Sequence, residues 1–255
     1  MQGTVLITPL SGFPLVKPGD DLAGQLITVL QNNSLELQDG DILVLAQKIV
    51  SKAEGRNVDL AKVEPSERAR QLAVATDKDP RLVELILQES HRVVRQAPGV
   101  LVVEHRLGFV MANAGIDASN VDPAMGGEPV LLLPENPGRS AATLRNRLRA
   151  TSGKKLGVIV SDSFGRPWRY GTVGIAIGSA GISALIDLRG QPDLYGRTLR
   201  ATLTGFADEV AAAASLVMGQ GAEGRPVVLV RGLPQSEADR PVADLVRKPE
   251  EDLFR

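Results

Sequence analysis

The order in which one glycine cluster meets its neighbours constrains this chain more than any other feature. In "MGQGAEGRPVVLVRG", which starts at Met218, the residues Gly219, Gly221 and Gly224 spell G-x-G-x-x-G, the fingerprint of a dinucleotide-binding turn. That turn works only where a strand enters the glycines and a helix leaves them, because the pyrophosphate rests on amides at the start of the helix. Here the order is reversed. Upstream, "ADEVAAAASLVMG" has the composition of a helix closing on a glycine C-cap. Downstream, "RPVVLVRG" is a β-branched run led by a proline, which reads as a strand. A Rossmann fold holding NAD is therefore not expected. The plain alternative is a tight connection whose glycines supply positive φ, with Gln220 and Glu223 held between them.

The rest of the chain interleaves strands and helices irregularly, without strict βαβ alternation, so an α+β fold is expected. "TVLIT" opens as a strand stopping at Pro9, and Asp20 or Asp21 caps a helix over "DLAGQLITVLQ". Ile42 to Leu45 form a buried strand that turns polar at Gln47, Lys48, Ser51 and Lys52. Two helices follow, the second with Asp79 as N-cap and Pro80 at its first position. "GVLVVEHRLGFVMANAG" reads as a hairpin turning near Arg106 to Gly108. A helix from about Ser140 closes at Gly153, and "KLGVIVSDSFGRPW" is a strand emptying into a polar turn. One domain over 1–255 is expected, with a composition shift near 150 as the candidate subdomain boundary.

Composition excludes several function classes. There is no cysteine, so thiolate nucleophiles, disulfides and iron-sulfur clusters are ruled out. Lys plus Arg is 29 against 30 Asp plus Glu, a balance without a large field for nucleic acid or membrane. Aromatics at 3% leave little material for a base-stacking platform. No run reaches the length of a membrane span and no leader is visible, so a cytoplasmic protein with small-molecule or protein partners is expected. No P-loop or protein-kinase motif occurs.

Only two histidines exist, His91 at the end of a helix and His105 on the hairpin, and satisfied or solvated roles suit both. Two aspartates, Asp117 in "NAGIDASN" and Asp162 in "VIVSDSFGRPW", fall where a strand ends in a turn. Each is suited to capping its own turn. If the two converge, their repulsion calls for a divalent cation, and oxygen donors select Mg²⁺ or Mn²⁺. Ser163 and Gln220 are further oxygen donors, and a metal bound this sparsely keeps positions for phosphate oxygens. Lys48 and Lys52 at the end of a strand, with Arg166 and Arg169 beside the only Trp, are cations for phosphate or carboxylate; ordinary solvated surface roles suit them equally.

The strings "GFPLVKPGDDLA", "GDILVLAQKIVSKAEGR", "NAGIDASNVD", "SDSFGRPWRYGTVGIAIGSAGI", "DLYGR" and "VMGQGAEGRPVVLVRG" occur in this order along most of the chain. Together they closely resemble the coenzyme F420-0:L-glutamate ligase family. The resemblance implies mixed and antiparallel sheets with helices in an intertwined homodimer. It also implies GTP-dependent addition of L-glutamate to a deazaflavin precursor through an acyl phosphate, with two Mg²⁺ or Mn²⁺ sites and K⁺ as an optional further ion. In some relatives a flavin-binding domain follows; none is expected here.

The resemblance further assigns Asp117, Asp162, Ser163 and Gln220 to metal, with Ser163 standing where relatives often carry Thr. It makes Asp117, Asp162 and Lys52 catalytic. It lines the nucleotide with Ser11, Gly12, Phe13, Pro14, Gln47, Lys52 and Asn120, and with Met218, Gly219, Gln220, Gly221, Ala222, Glu223, Gly224 and Arg225. At Gln47 relatives carry Ser in places. Rival readings are a ligase of the same fold acting on another carboxylate, and a nucleotide-binding protein without catalysis.

Overall fold

The computed structural model describes residues 3–121, 127–234 and 239–252. Along the chain run β1 (Leu6–Pro9), α1 (Leu22–Asn32), β2 (Ile42–Ala46), α2 (Gln47–Ala53), β3 (Asn57–Asp59), α3 (Glu67–Thr76), α4 (Pro80–Gln88), β4 (Ser90–Ala97), β5 (Val100–His105) and β6 (Val110–Ala112). Then come β7 (Pro129–Leu131), α5 (Pro137–Ser152), β8 (Gly157–Arg166), β9 (Arg169–Ala180), β10 (Ile186–Asp187), β11 (Leu203–Thr204), α6 (Phe206–Met218) and β12 (Val227–Arg231).

A five-stranded sheet in the order β1-β12-β2-β8-β9 organises the molecule. Only β2 and β8 pair in parallel; the remaining neighbours are antiparallel. The fold is thus α+β with mixed and antiparallel sheets. Its central strands β2 and β12 are short runs of Val, Ile and Leu buried along most of their length, as expected of strands covered on both faces.

Alternation along these strands feeds two cores. Leu43, Leu45, Val158 and Val160 face α1 and α5, while Ile42, Val44, Ile159 and Val228 face α6. Each fully buried aliphatic side chain contributes about 1.5–3 kcal/mol. Between α2 and α5 the chain leaves the sheet, forming the β3-β7 pair and the β4-β5-β6 sheet, where α3 and α4 pack against β5.

Local signals account for most helix ends. Asp21 caps α1 by accepting from the Gly24 amide, Asp79 caps α4 with Pro80 behind it, and Gly153 closes α5 at φ 70°. Four expectations need correction. The helix expected from about Ser140 starts at Pro137, because Asn136 accepts from the Arg139 amide and proline suits the first turn. Gln47, Lys48 and Lys52 lie on α2, since the backbone passes from β2 into a helix without a turn. His91 is the second residue of β4 and not a helix end.

The fourth correction concerns Asp162. It does not sit at a strand end, because β8 continues to Arg166 with β9 pairing beside it. Residue 150, the candidate boundary, falls inside α5. No helix among the described residues is long and apolar enough to cross a membrane.

Candidate functional site

Residues far apart in sequence meet where strands of the central sheet begin and end. β12 starts there, β2 ends there and β1 ends there: the Leu10 amide donates to the Val227 carbonyl, and the Ala46 amide donates to the Pro226 carbonyl. The segment from Met218 to Arg225 therefore arrives beside Ser11 to Pro14 and beside Gln47. Ser11 is anchored in both directions by Asn33, which accepts from its amide and donates to its carbonyl. Gly12 takes φ 74°, and Phe13 packs partly against the core.

The α6-glycine-β12 order matches the reversed reading of the opening motif. Gly219 is the C-cap of α6, at φ 82° and ψ 172°. Any Cβ there would collide with the carboxylate of Glu223, which accepts from the Gly221 amide at 2.8 Å. Glu223 thus braces the loop, and its own backbone and Gly221 hold its carboxyl below the usual range.

Parallel pairing of Ala46 with Ser161 sets Gln47 and α2 alongside Asp162. Because strand residues alternate, Asp162 shares the face of Val160 and Phe164, while Ser163 points to the α6 side. On that second side the Ser163 hydroxyl donates to Gln220 Oε1 at 2.8 Å. The two neighbours on β8 thus serve two adjoining clusters.

On the first side, Asp117 is fixed by an isolated bridge to Leu131 and accepts from the Ser119 amide at 2.6 Å. Its other oxygen lies 2.6 Å from Lys48 Nζ, which also donates to the Ser119 hydroxyl at 2.7 Å. Burial pushes the Asp117 carboxyl up, but hydrogen bonds from Lys48 and Ser119 outweigh it and leave the group below the usual carboxylate range. Asp162 lacks such support. Burial, reinforced by the charge of Asp117, pushes it up to about 6 against the lesser pull of the Ser163 amide and Lys48.

Further contacts join the clusters. Lys52 Nζ donates to the Asn120 carbonyl at 2.6 Å, and Asn120 Nδ2 donates to the Gly221 carbonyl at 3.3 Å. Gln47 is 1% exposed; its Oε1 accepts from Ser51 while its Nε2 has no partner.

Arg166 and Arg169 pair with each other at the far end of the β8-β9 hairpin, four residues or about 13 Å along the strand from Asp162. No described contact links them to the carboxylates. Ser119 was not anticipated; its signal was the Asp-x-Ser spacing that lets an aspartate accept from the amide two residues on. The shared direction of Lys48 and Lys52 follows from their i, i+4 spacing once α2 is known to be helical.

The donor set fits a hard divalent cation. Two carboxylates, one driven toward protonation by burial, lie on one side of β8, and a hydroxyl and an amide oxygen lie on the other, all of them oxygen donors of the kind such an ion takes. Among the described residues no group of three or more His, Cys, Asp or Glu could hold a metal ion.

Fold and site together define an α+β protein whose carboxylates, lysines and glycine loop gather near the strand ends of the central sheet by neither Rossmann nor P-loop geometry. A family model described as F420-0:Gamma-glutamyl ligase matches residues 12–232. The Coenzyme F420:L-glutamate ligase of Methanopyrus kandleri is 47% identical, over 99% of this chain and 98% of its own. Those of Methanothermobacter thermautotrophicus (48%, over 96% and 97%) and Methanocaldococcus jannaschii (44%, over 95% and 94%) are similar along comparable lengths. The chain belongs to the F420-0:gamma-glutamyl ligase family.

Proposed function

We propose that this protein joins L-glutamate to the free carboxylate of the deazaflavin precursor F420-0 at the expense of GTP, adding γ-linked glutamate in succession. The observation that carries this reading is the near full-length similarity to the Coenzyme F420:L-glutamate ligases.

A carboxylate is a poor electrophile, so amide formation needs a leaving group. The precursor carboxylate attacks the γ-phosphorus of GTP, an oxygen-phosphorus bond forms, the β-γ bridge breaks, and GDP departs. The α-amine of glutamate then attacks the acyl phosphate carbon, phosphate leaves, and the amine loses its proton.

Asp117 and Asp162 on one side of β8, with Ser163 and Gln220 on the other, are the residues that would hold Mg²⁺ or Mn²⁺. The ions would neutralise charge on the phosphoryl group in transfer. Lys52 shares that task, with K⁺ a further candidate. Ser11 to Pro14, Gln47, Asn120 and Met218 to Arg225 would surround the nucleotide. The glycines allow close backbone approach.

The working unit in this reading is one ligase domain assembled as a cytoplasmic homodimer. Mass spectrometry of the protein with F420-0, GTP, Mn²⁺ and L-glutamate should detect products heavier by one and then two glutamyl units, absent without metal or with Asp117→Ala. Absence of any glutamylated product from folded wild-type protein would overturn the assignment.

A further inference from the structure

Lys48 binds the carboxylate that the proposed function assigns to a divalent cation. Its ammonium lies 2.6 Å from Asp117 Oδ2 and 2.7 Å from the Ser119 hydroxyl, while the other Asp117 oxygen is committed to the Ser119 amide. Both oxygens of Asp117 are therefore engaged, one of them by a positive charge.

That charge is an incomplete substitute. Lys48 carries a single positive charge, and a second carboxylate, Asp162, lies on β8 alongside α2. A divalent ion meeting both carboxylates compensates them fully and repels the ammonium, since like charges at such separations strongly disfavour each other. Lys48 has somewhere to go. It sits one turn from Lys52 on the same face of α2, and Lys52 already reaches the Asn120 carbonyl, whose side-chain amide meets the glycine loop.

We propose that Lys48 is a positioning residue that holds the Asp117 oxygen until a divalent cation displaces it, and that the displaced ammonium is delivered to the nucleotide phosphates. Metal and nucleotide binding are then coupled through one side chain, with metal the favoured first ligand. By linkage the coupling is reciprocal. This inference rests on the metal role proposed for Asp117.

The test is Mn²⁺ binding followed by the loss of the free-ion electron paramagnetic resonance signal, with and without GDP, on the full-length protein. Lys48→Met keeps the apolar stem and removes the charge; it should bind Mn²⁺ about tenfold more tightly than wild type. Lys48→Arg retains a cation and should bind it no more tightly than wild type. In wild type, saturating Mn²⁺ should strengthen GDP binding about tenfold or more, and Lys48→Met should lose most of that gain.

Equal or weaker Mn²⁺ binding by folded Lys48→Met, where Asp117→Asn does weaken binding, overturns the inference and leaves the metal assignment standing. If Lys48→Met does not fold, tight Mn²⁺ binding by Lys48→Arg overturns it instead. Mn²⁺ binding unaffected by Asp117→Asn overturns both.

Discussion

Asp162 shows how much depends on one residue's surroundings. The same carboxyl at the tip of a turn would be solvated and ordinary; on β8, beside Asp117 and under α2, it is pushed up to about 6 from 3.8. A folded-state value above the unfolded one means that its stabilising contribution is intact below about pH 4 and lost as pH rises through 6. Asp162→Asn should therefore stabilise the metal-free protein by about 1–2 kcal/mol at pH 7, with the gain gone at pH 4. Urea unfolding in the presence of a chelator measures this. In the metal role proposed for Asp162, adding Mn²⁺ reverses the ranking at pH 7, because only the aspartate offers the ion a charge. The residue type was legible in the sequence as a metal candidate, but its strained ionisation was not, since that arises from burial and from a neighbour 45 positions away in sequence.

At the scale of elements, β9 decides where the helices lie. It carries one residue more than β8 where the pairing passes from Val160 with Gly178 to Ser161 with Ala176. The extra residue, Ile177, is a β-bulge that switches which face the following residues address. Ala176 accordingly packs with the α6 core, whereas Ile177 and Ala180 pack with the α1-α5 core. Gly174 meets α6 at Ala211 and Ser215, and Gly178 meets the start of α5 at Pro137 and Gly138.

A Cβ at Gly178 would come within 2.6 Å of the Gly138 nitrogen, with rigid backbone on both sides. Gly178→Ala should cost about 2–3 kcal/mol, read as a lowered urea midpoint with an unchanged slope. The sequence from Val173 to Gly190 is Gly-rich and apolar, and glycine weakens strand propensity wherever it occurs, so its letters alone do not mark β9 as a strand. Close helix approach, a tertiary fact, explains why these strand positions lack side chains. By contrast, α4 was legible from Asp79 and Pro80 alone, since a cap acts within its own turn.

For the whole molecule, a buried ionic junction ties the excursion of β3 to β7 back to the central layers. Glu89, 9% exposed, accepts from Arg56 at 3.0 Å and from Arg106 at 2.9 Å, with His105 Nε2 at 3.7 Å. Arg56 also donates to the carbonyl of Leu133, which packs in the α1-α5 core. Burial pushes the Glu89 carboxyl up, and His105, Arg106 and Arg56 together outweigh it, holding it at about 2. A depressed carboxylate contributes stability above its unfolded value of 4.5 and loses it as pH falls toward 2. Glu89→Gln should thus destabilise by about 2–3 kcal/mol at pH 7 and by progressively less below pH 4.5. Chemical unfolding across that pH range measures the convergence.

The sequence by itself determined what nearby residues can decide: the capped starts of α1 and α4 and the glycine stop of α5, the buried character of β2 and β12, the reversed order around Gly219, and the oxygen-rich chemistry available without cysteine. Its collinear motifs also carried the family. Only the tertiary structure decided that β8 runs through Asp162, that Ser163 and Asp162 serve opposite faces, and that Lys48 meets Asp117. The physical reason is range. Caps and turns are satisfied within a few residues, whereas strand pairing, burial and charge neighbours are set by segments that sequence separates widely and folding brings together.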